Sequence, residues 1–455
     1  FLLGTFDMKL DTDFGTFTSS TSYFDRKVRN VEDDTLAVSE LLGLVDGNGF
    51  PLAPVVFDDR EKTRSFTQET RFSSDFKGPF QIIAGAFYTK SRATILFPPL
   101  IVDGIGPTGG PDNLFSRDQT DRFREIAGYA EGTLTITDGL SVIAGLRAFS
   151  NRSSFVASID GVANGGLTVI PRQTLKQSGV TPKLSLQYKF NSDLQVYATA
   201  AKGYRPGGGQ PPITAPACAG ELAALGLTPD DTATFGADNV WSYEAGAKGA
   251  LLDRRLTFSA AAFRIDWTDI QQTENLVCGF PFRTNAGSAR SQGVELEMTA
   301  RPAEGWSIDL GFGYTDAKFR SGGDLSVFRS GDRVPQVPRY TLSVGTDYSH
   351  ALTDQVEGFL HADYQYVGGS TTAVNAVRNP VTDELVRRIR PSYELLNLRA
   401  GLTFDRYEVA VFGRNVTNEI ASLSDVTNIG IEAVGRARVA INRPRTIGLE
   451  MSAKF

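Results

Sequence analysis

The feature that most constrains this chain is a repeated alternation of apolar and polar residues. The C-terminal segment shows it clearly, because every second residue is apolar, namely Ile447, Leu449, Met451, Ala453 and Phe455, and the residues between them are polar or glycine. A period of two places these apolar side chains on one face of a β-strand. The same alternation recurs at residues 194–200, 294–299, 308–314, 340–348 and 396–404. The pattern predicts an all-β protein, although a soluble sandwich would show it as well.

The connectors between the predicted strands alternate between short and long. We count about 17 strands from the alternating segments. The short joins lie at residues 11–15, 75–79, 137–139, 190–193, 252–255, 302–305, 349–354 and 404–407. The long joins lie at residues 31–64, 91–121, 154–180, 205–238, 271–285, 320–338, 369–391 and 418–443. A sandwich has no reason to place every long loop at one end, whereas an outer-membrane barrel has short periplasmic turns and long external loops. The rhythm therefore predicts a transmembrane antiparallel β-barrel.

The polar faces of the strands support a barrel with a wide lumen. Charged residues recur on them, namely Glu295, Glu297, Asp309, Arg399, Glu450 and Lys454. Aromatic residues lie near strand ends, namely Tyr340, Tyr348, Tyr364, Tyr366 and Phe404. A barrel in a membrane turns its apolar face to lipid, its polar face to the lumen, and its aromatic residues to the two membrane–water interfaces.

Composition excludes several classes of function. The 455 residues carry a formal net charge of −6, which gives no support to nucleic-acid binding. No apolar run approaches the roughly 18 residues of a membrane-spanning helix. The two histidines are His350 and His361, and His361 shares a polar face with Glu357 and Asp363. Without a serine motif or zinc-ligand spacing beside it, His361 is interpreted as a lumen residue, so we expect no enzyme activity and no metal site.

The N-terminus starts directly in a strand pattern, with no charged segment and apolar core of a signal peptide. An odd number of antiparallel strands would leave the two termini on opposite sides, whereas bacterial single-chain barrels have even strand counts. We therefore expect the sequence to be the C-terminal portion of a longer protein, with at least one strand upstream.

An ordered set of short motifs runs along the chain. They are QETR at 68–71, YATAAKGYRPGG at 197–208, SYEAGAKG at 242–249, NAG at 285–287 followed by GVELE at 293–297, RNVTN at 414–418, and RPRT at 443–446 before the terminal Phe455. In this order they resemble the motifs of TonB-dependent outer-membrane receptors of the iron-complex type. Each motif is weak alone, whereas the ordered set covers nearly the whole chain.

The resemblance implies an architecture larger than this sequence. The family has a barrel of about 22 strands that encloses an N-terminal plug domain, preceded by a segment that binds TonB. With about 17 strands counted here, the resemblance implies that residues 1–455 are the C-terminal part of the barrel. The plug and roughly the first five strands would lie outside it.

The resemblance also implies a function and partners. The function is energy-coupled uptake of a scarce ligand, with a ferric siderophore as the default, and no resident cofactor because the cargo brings the iron. The implied partners are the TonB–ExbB–ExbD system, the barrel-assembly machinery that reads Phe455, outer-membrane lipid and lipopolysaccharide, and a small-molecule ligand. Alternatives are a passive porin-like channel, uptake of an oligosaccharide, cobalamin or aromatic metabolite, and a soluble β-rich adhesin.

Candidate site residues lie mostly in the long joins. Cys218 and Cys278, the only cysteines, fall in consecutive long joins, which predicts a disulfide in the oxidising periplasm or outside the cell; the alternative is two free surface thiols. Residues expected to contact the ligand near external strand ends are Tyr204, Arg205, Trp241, Trp267, Phe280, Phe282 and Arg283. Aromatic rings could contact an organic scaffold, and arginines could pair with an anionic chelate. The alternative for each residue is a place in the aromatic girdle at the membrane–water interface or a role in loop packing. The lumen charges Arg147, Glu295, Glu297 and Arg399 are expected to contact the plug or line water.

Overall fold

The computed structural model describes residues 1–33, 35, 38–39, 54–102, 112–276, 278–285, 287–323, 328–372, 377–378, 385–425 and 439–454. Seventeen strands form one antiparallel sheet in which neighbours in sequence are neighbours in space. The strands are β1 (Leu2–Thr12), β2 (Gly15–Asp33), β3 (Val56–Ser74), β4 (Phe80–Ile101), β5 (Asn113–Thr135), β6 (Leu140–Asp160), β7 (Thr168–Asn191), β8 (Leu194–Arg205), β9 (Asp238–Leu251), β10 (Leu256–Thr268), β11 (Ser288–Ala303), β12 (Trp306–Ser321), β13 (Tyr340–Thr353), β14 (Val356–Val367), β15 (Tyr393–Phe404), β16 (Tyr407–Arg414) and β17 (Thr446–Ala453). The predicted strand number and fold class are confirmed.

The two faces of the strands separate as the alternation predicts. On β17, Ile447, Leu449 and Met451 are 70–78% exposed on the outward face. Glu450 points to the opposite face, where its carboxylate lies 3.4 Å from Nε of Arg399 on β15. The outward face is therefore the apolar, lipid-facing one, and the inward face is polar.

Several strands are much longer than the sequence pattern indicated. β4, β5 and β7 have 22, 23 and 24 residues, whereas about 10 residues suffice to cross a membrane. The predicted joins at 31–64, 91–121 and 154–180 were too long, because the paired strands extend into each of them from both ends, to Asp33 and from Val56, to Ile101 and from Asn113, and to Asp160 and from Thr168. Their polar outward residues do not resemble a membrane strand, since these parts of the strands extend beyond the membrane.

The external end of the barrel carries further small elements. Short hairpins occur at Gln271–Asn275 with Pro281–Asn285 and at Ser422–Asp425 with Val439–Ile441, inside joins predicted as loops. The short helix α1 (Ala219–Ala224) lies inside the predicted join at 205–238. No helix in the described part of the chain is long and apolar enough to cross a membrane.

The two edges of the sheet are unpaired in the part of the chain that the structure describes. There β1 pairs with β2 alone, and β17 pairs with β16 alone. Phe455, the predicted assembly signal, lies outside the described residues.

Candidate ligand-binding site

A compact structure, which we call the external cap, covers part of the barrel at the end opposite the short turns. It consists of residues 206–237, between β8 and β9, and the hairpin Gln271–Asn275 with Pro281–Asn285, between β10 and β11. Its interior is a small apolar cluster of buried residues, namely Ile213, Ala215, Cys218, Leu222, Leu276 and Phe282. The cluster gives these long connectors a core of their own.

A disulfide joins the two parts of the external cap. Cys218 and Cys278 are bonded, with their Cα atoms 5.3 Å apart, so the predicted pairing is confirmed. Glu221 of α1 strengthens the same junction, because its carboxylate accepts a hydrogen bond of 3.2 Å from the backbone N–H of Cys278.

An ion pair fastens the base of the external cap to the barrel. The guanidinium Nε of Arg205, the last residue of β8, donates to the Asp238 carboxylate at 3.1 Å. Asp238 is 1% exposed, and the Arg205 guanidinium also lies 5.4 Å from the ring centre of Trp267. One residue earlier, the ring of Tyr204 stacks on Phe149 with centroids 3.6 Å apart. These contacts hold both ends of residues 206–237 against the barrel rim.

A cavity of about 470 Å³ lies beneath the external cap. Its walls come from the outer ends of β3 to β6 on one side and from the cap on the other. The lining on the barrel side includes Phe57, Asp59, Phe97, Leu114, Phe115, Arg117 and Ile159. The lining on the cap side includes Gln210, Ile213, Cys278, Phe280, Phe282 and Arg283. On β5, Phe115 and Arg117 share strand parity with the buried Glu125 and Ala127, so the cavity opens on the lumen side of the sheet.

The cavity combines aromatic walls with charged groups that retain bonding capacity. The Arg117 guanidinium lies 4.5 Å from the ring centre of Phe97, and the rings of Phe115 and Phe280 meet edge to face at 6.1 Å. Nε of Arg117 and Oδ1 of Asp59 are both buried without a hydrogen-bond partner among the described residues. Buried polar groups normally find a partner, so these two atoms are available to a ligand or to water.

The predicted contact residues divide into three groups. Phe280, Phe282 and Arg283 line the cavity. Tyr204, Arg205 and Trp267 lie at the base of the external cap and are engaged in its anchoring contacts. Trp241 stacks on Tyr243 with centroids 6.0 Å apart, on the half-exposed outward face of β9 and apart from the other six.

Sequence reasoning missed the barrel side of the cavity. Asp59, Phe97 and Arg117 fall within the segments predicted as loops 31–64 and 91–121. The signal that could have found them is the alternation that continues through residues 113–125, where Arg117 and Glu125 occupy one face and Arg122 and Arg124 the other.

Comparison with known proteins agrees with the barrel fold. Residues 3–440 match the family model described as TonB dependent receptor-like, beta-barrel. The chain belongs to this family. Its members are outer-membrane proteins of Gram-negative bacteria, so the apolar strand faces of this receptor barrel contact outer-membrane lipid. The family and the relatives below are transport receptors, not enzymes.

Individual relatives are similar over parts of their length. The pesticin receptor of Yersinia enterocolitica is 31% identical over 217 residues, covering 47% of this chain and 29% of the relative. The catecholate siderophore receptor Fiu of Escherichia coli K12 is 23% identical over 324 residues, covering 67% of this chain and 39% of the relative. The crystal structure of the ferric yersiniabactin uptake receptor FyuA from Yersinia pestis superimposes with a TM-score of 0.74 at 20% identity, covering all of this chain and 61% of that one. The chain thus spans less than two thirds of the length of these relatives.

The lumen of the receptor barrel is lined by paired charges. Arg147 donates to Glu125 at 2.8 Å, and Arg399 forms ion pairs with Glu408 and Glu450. His361 Nδ1 lies 2.7 Å from a carboxylate oxygen of Asp347. No group of three or more His, Cys, Asp or Glu side chains able to hold a metal ion occurs among the described residues.

Glu274 makes the receptor's hairpin sensitive to pH. It lies opposite the buried Phe282, and burial raises the pKa of its carboxyl from 4.5 to about 7. Folding of the hairpin therefore favours the protonated form. The stability of the hairpin is greatest below pH 4.5, falls between pH 4.5 and 7, and is constant above 7.

We expect Glu274→Gln to remove this pH dependence. At pH 8 the free energy of opening the hairpin should be up to about 2 kcal/mol higher in the variant than in the wild type, after allowance for the partial exposure of Glu274. Hydrogen exchange of residues 271–275, measured at pH 5 and pH 8 with correction for intrinsic rates, tests this. Equal pH dependence in wild type and variant would contradict it.

Proposed function

We propose that this chain is barrel sequence of an energy-coupled uptake receptor that binds a metal chelate, such as a ferric siderophore, at its external mouth. The observation that carries the proposal is the cavity between the external cap and the ends of β3 to β6. A ligand arriving from outside would reach this cavity before the lumen, and its volume falls in the range of small-molecule sites.

The chemistry of the cavity lining favours an organic ligand with acidic groups. Phe57, Phe97 and Phe115 offer flat apolar surfaces for an aromatic or heterocyclic scaffold. Arg117 and Arg283 offer positive charge for carboxylate or phenolate oxygens. Catecholate and phenolate chelates of iron carry both features. The relatives include receptors named for a catecholate siderophore, for ferrioxamine B and for a metal–pseudopaline complex.

The remaining parts of the transport cycle belong to the same proposal. The two unpaired sheet edges, at β1 and β17, would be costly in a membrane, which supports closure by further strands; we propose roughly five, upstream of residue 1. We also propose a plug domain inside the barrel, coupling to the TonB–ExbB–ExbD system, and recognition of Phe455 by the barrel-assembly machinery.

The binding proposal is tested by Arg117→Gln in the full-length receptor. Loss of a charged hydrogen-bond donor should weaken binding of a recognised ferric chelate by roughly 10- to 100-fold. The measurement is fluorescence quenching or calorimetry with a panel of ferric catecholate, hydroxamate and phenolate chelates. Arg301→Gln, an exposed arginine beside a short turn, is the matched control and should bind as the wild type does.

Two results would reject the uptake proposal. If none of the chelates binds and oligosaccharides bind instead, the ligand class is wrong. If small solutes diffuse through the full-length receptor in liposomes without ligand and without TonB, the protein is a passive channel.

A further inference from the structure

One acidic side chain in the cavity beneath the external cap is not explained by binding of an anionic chelate. Asp59, the fourth residue of β3, is the only acidic residue among the described residues that line the cavity. Its Oδ1 atom is buried and has no hydrogen-bond partner in the described part of the chain. A buried carboxylate without a partner is costly, and it would repel an anionic ligand. Asp59 therefore indicates a second kind of ligand group, different from the acidic groups that the arginines of the cavity attract.

The cations near Asp59 do not neutralise it. Arg29 and Arg60 both form ion pairs with Asp58, whose side chain lies on the opposite face of β3 because successive residues of a strand alternate between faces. Burial raises the pKa of the Asp59 carboxyl, and the positive charge of Arg117 offsets this effect only in part. The Asp59 carboxyl therefore retains the capacity to bind a cationic group of a ligand.

An aromatic ring separates Asp59 from the guanidinium of Arg117. Arg117 on β5 is directly opposite Phe97 on β4, and Arg60, the neighbour of Asp59, is directly opposite Leu96, the neighbour of Phe97. Asp59 and Arg117 thus flank Phe97 from the two adjacent strands, which places their Cα atoms about 10 Å apart. The Arg117 guanidinium lies over the Phe97 ring, 4.5 Å from its centre. The cavity therefore presents a negative group and a positive group on either side of an aromatic ring.

Two neutral polar side chains of the cavity are already occupied by internal hydrogen bonds. The side chain of Asn164 bonds with Gly166, Thr168 and Thr214. The side chain of Gln210 bonds with the backbone of Thr232 and Arg283. These two amides stabilise the external cap, so the charged side chains of the cavity are left to select the ligand.

We propose that the cavity selects a zwitterionic chelate, in which a protonated amine binds Asp59 and an acidic group binds Arg117. This inference rests on the uptake function proposed above and narrows its ligand class. A ligand that carries acidic groups alone leaves the buried Asp59 carboxyl unpaired. Sites that would bury an unpaired polar group discriminate strongly against such a ligand. The amine therefore determines selectivity, and the acidic group adds affinity.

The test uses the ferric complexes of three related probes. The first probe is lysine acylated on its α-amino group with a catechol carboxylic acid, so that it carries a carboxylate and a free side-chain amine. In the second probe the side-chain amine is acetylated, which removes the positive charge. In the third probe cadaverine replaces lysine, which removes the carboxylate. Binding of each complex to the full-length receptor is measured by calorimetry.

The wild type should bind the first complex roughly tenfold or more tightly than the acetylated one, because a charged hydrogen bond is lost. Asp59→Asn should lower the affinity for the first complex to that for the second and leave the second unchanged. Arg117→Gln should remove the preference for the first complex over the third. The matched control is Asp118→Asn, which removes the same charge from an exposed residue on the opposite face of β5, and it should keep both preferences.

Thermal unfolding of the ligand-free receptor separates a binding role of Asp59 from a structural one. Asp59→Asn should unfold at the same temperature as the wild type or a higher one, because it removes a buried carboxylate that has no partner. A lower unfolding temperature would show that Asp59 stabilises the fold, and the inference would be wrong. Equal affinity of the wild type for the first and second complexes would also overturn it, while the uptake proposal would stand. If neither these complexes nor the chelate panel described above binds, both proposals are rejected.

Discussion

Replacing both cysteines, as Cys218→Ser with Cys278→Ser, is expected to raise the hydrogen-exchange rate of residues 213–222 roughly 100-fold while the barrel strands exchange unchanged. The disulfide closes a chain separation of 60 residues. Much of that length is β9 and β10, which remain paired when the cap opens, so the relevant loop is shorter and the expected local loss is about 3 kcal/mol. The small cluster around Leu222 and Phe282 would then hold the cap alone.

Loss of the disulfide should also weaken ligand binding, because Cys278, Phe280 and Phe282 form one wall of the cavity. Reductant gives the matched control: it should accelerate exchange in the wild type and leave the double variant unaffected. Unchanged exchange at residues 213–222 in the reduced wild type would mean that apolar packing alone fixes the external cap.

The faces and the order of the strands were predictable from sequence because they depend on a local rule. A period of two decides which side chains share a face, and the connector rhythm decides which end is external. Thus Ile447 and Glu450 on β17 could be placed outward and inward before the structure was known.

The extent of the strands was less predictable, because pairing between neighbours determines it. Thr94 and Asp118 are polar outward residues whose sequence context predicts a loop. Both are nevertheless paired with residues of the neighbouring strands. The same underestimate of strand length affected the prediction of the residues that line the cavity. Phe280 and Arg283 were found on the cap side, where aromatic and charged residues stand out in a loop. Asp59 and Arg117, on the barrel side, were missed. They line the cavity only because their strands lie beneath the external cap, which begins about 90 residues after Arg117 in the sequence.

Glu125→Ala is expected to destabilise the attachment of the external cap by about 3 kcal/mol, because it leaves a half-buried cation without its partner. Glu125 is 7% exposed. Its carboxylate accepts hydrogen bonds from Arg147 at 2.8 Å and from the hydroxyl of Tyr204 at 2.6 Å. Tyr204 immediately precedes Arg205, the anchor of residues 206–237, so the loss should appear as faster exchange at the start of that segment.

Two further variants distinguish the effect of the buried Glu125–Arg147 ion pair from that of an exposed ion pair and from that of the Tyr204 hydrogen bond. Glu131→Ala, on the same face of β5, removes an ion pair with Lys183 at 2.9 Å whose side chains are 30% and 43% exposed, and it should cost at most about 1 kcal/mol. Tyr204→Phe removes the hydroxyl donor alone and should cost about 1 kcal/mol. The comparison uses urea unfolding of the full-length receptor in detergent together with hydrogen exchange. If Glu125→Ala and Glu131→Ala have equal effects, burial of Glu125 does not determine the strength of this anchor, and the external cap must be held by the Arg205–Asp238 pair and the disulfide instead.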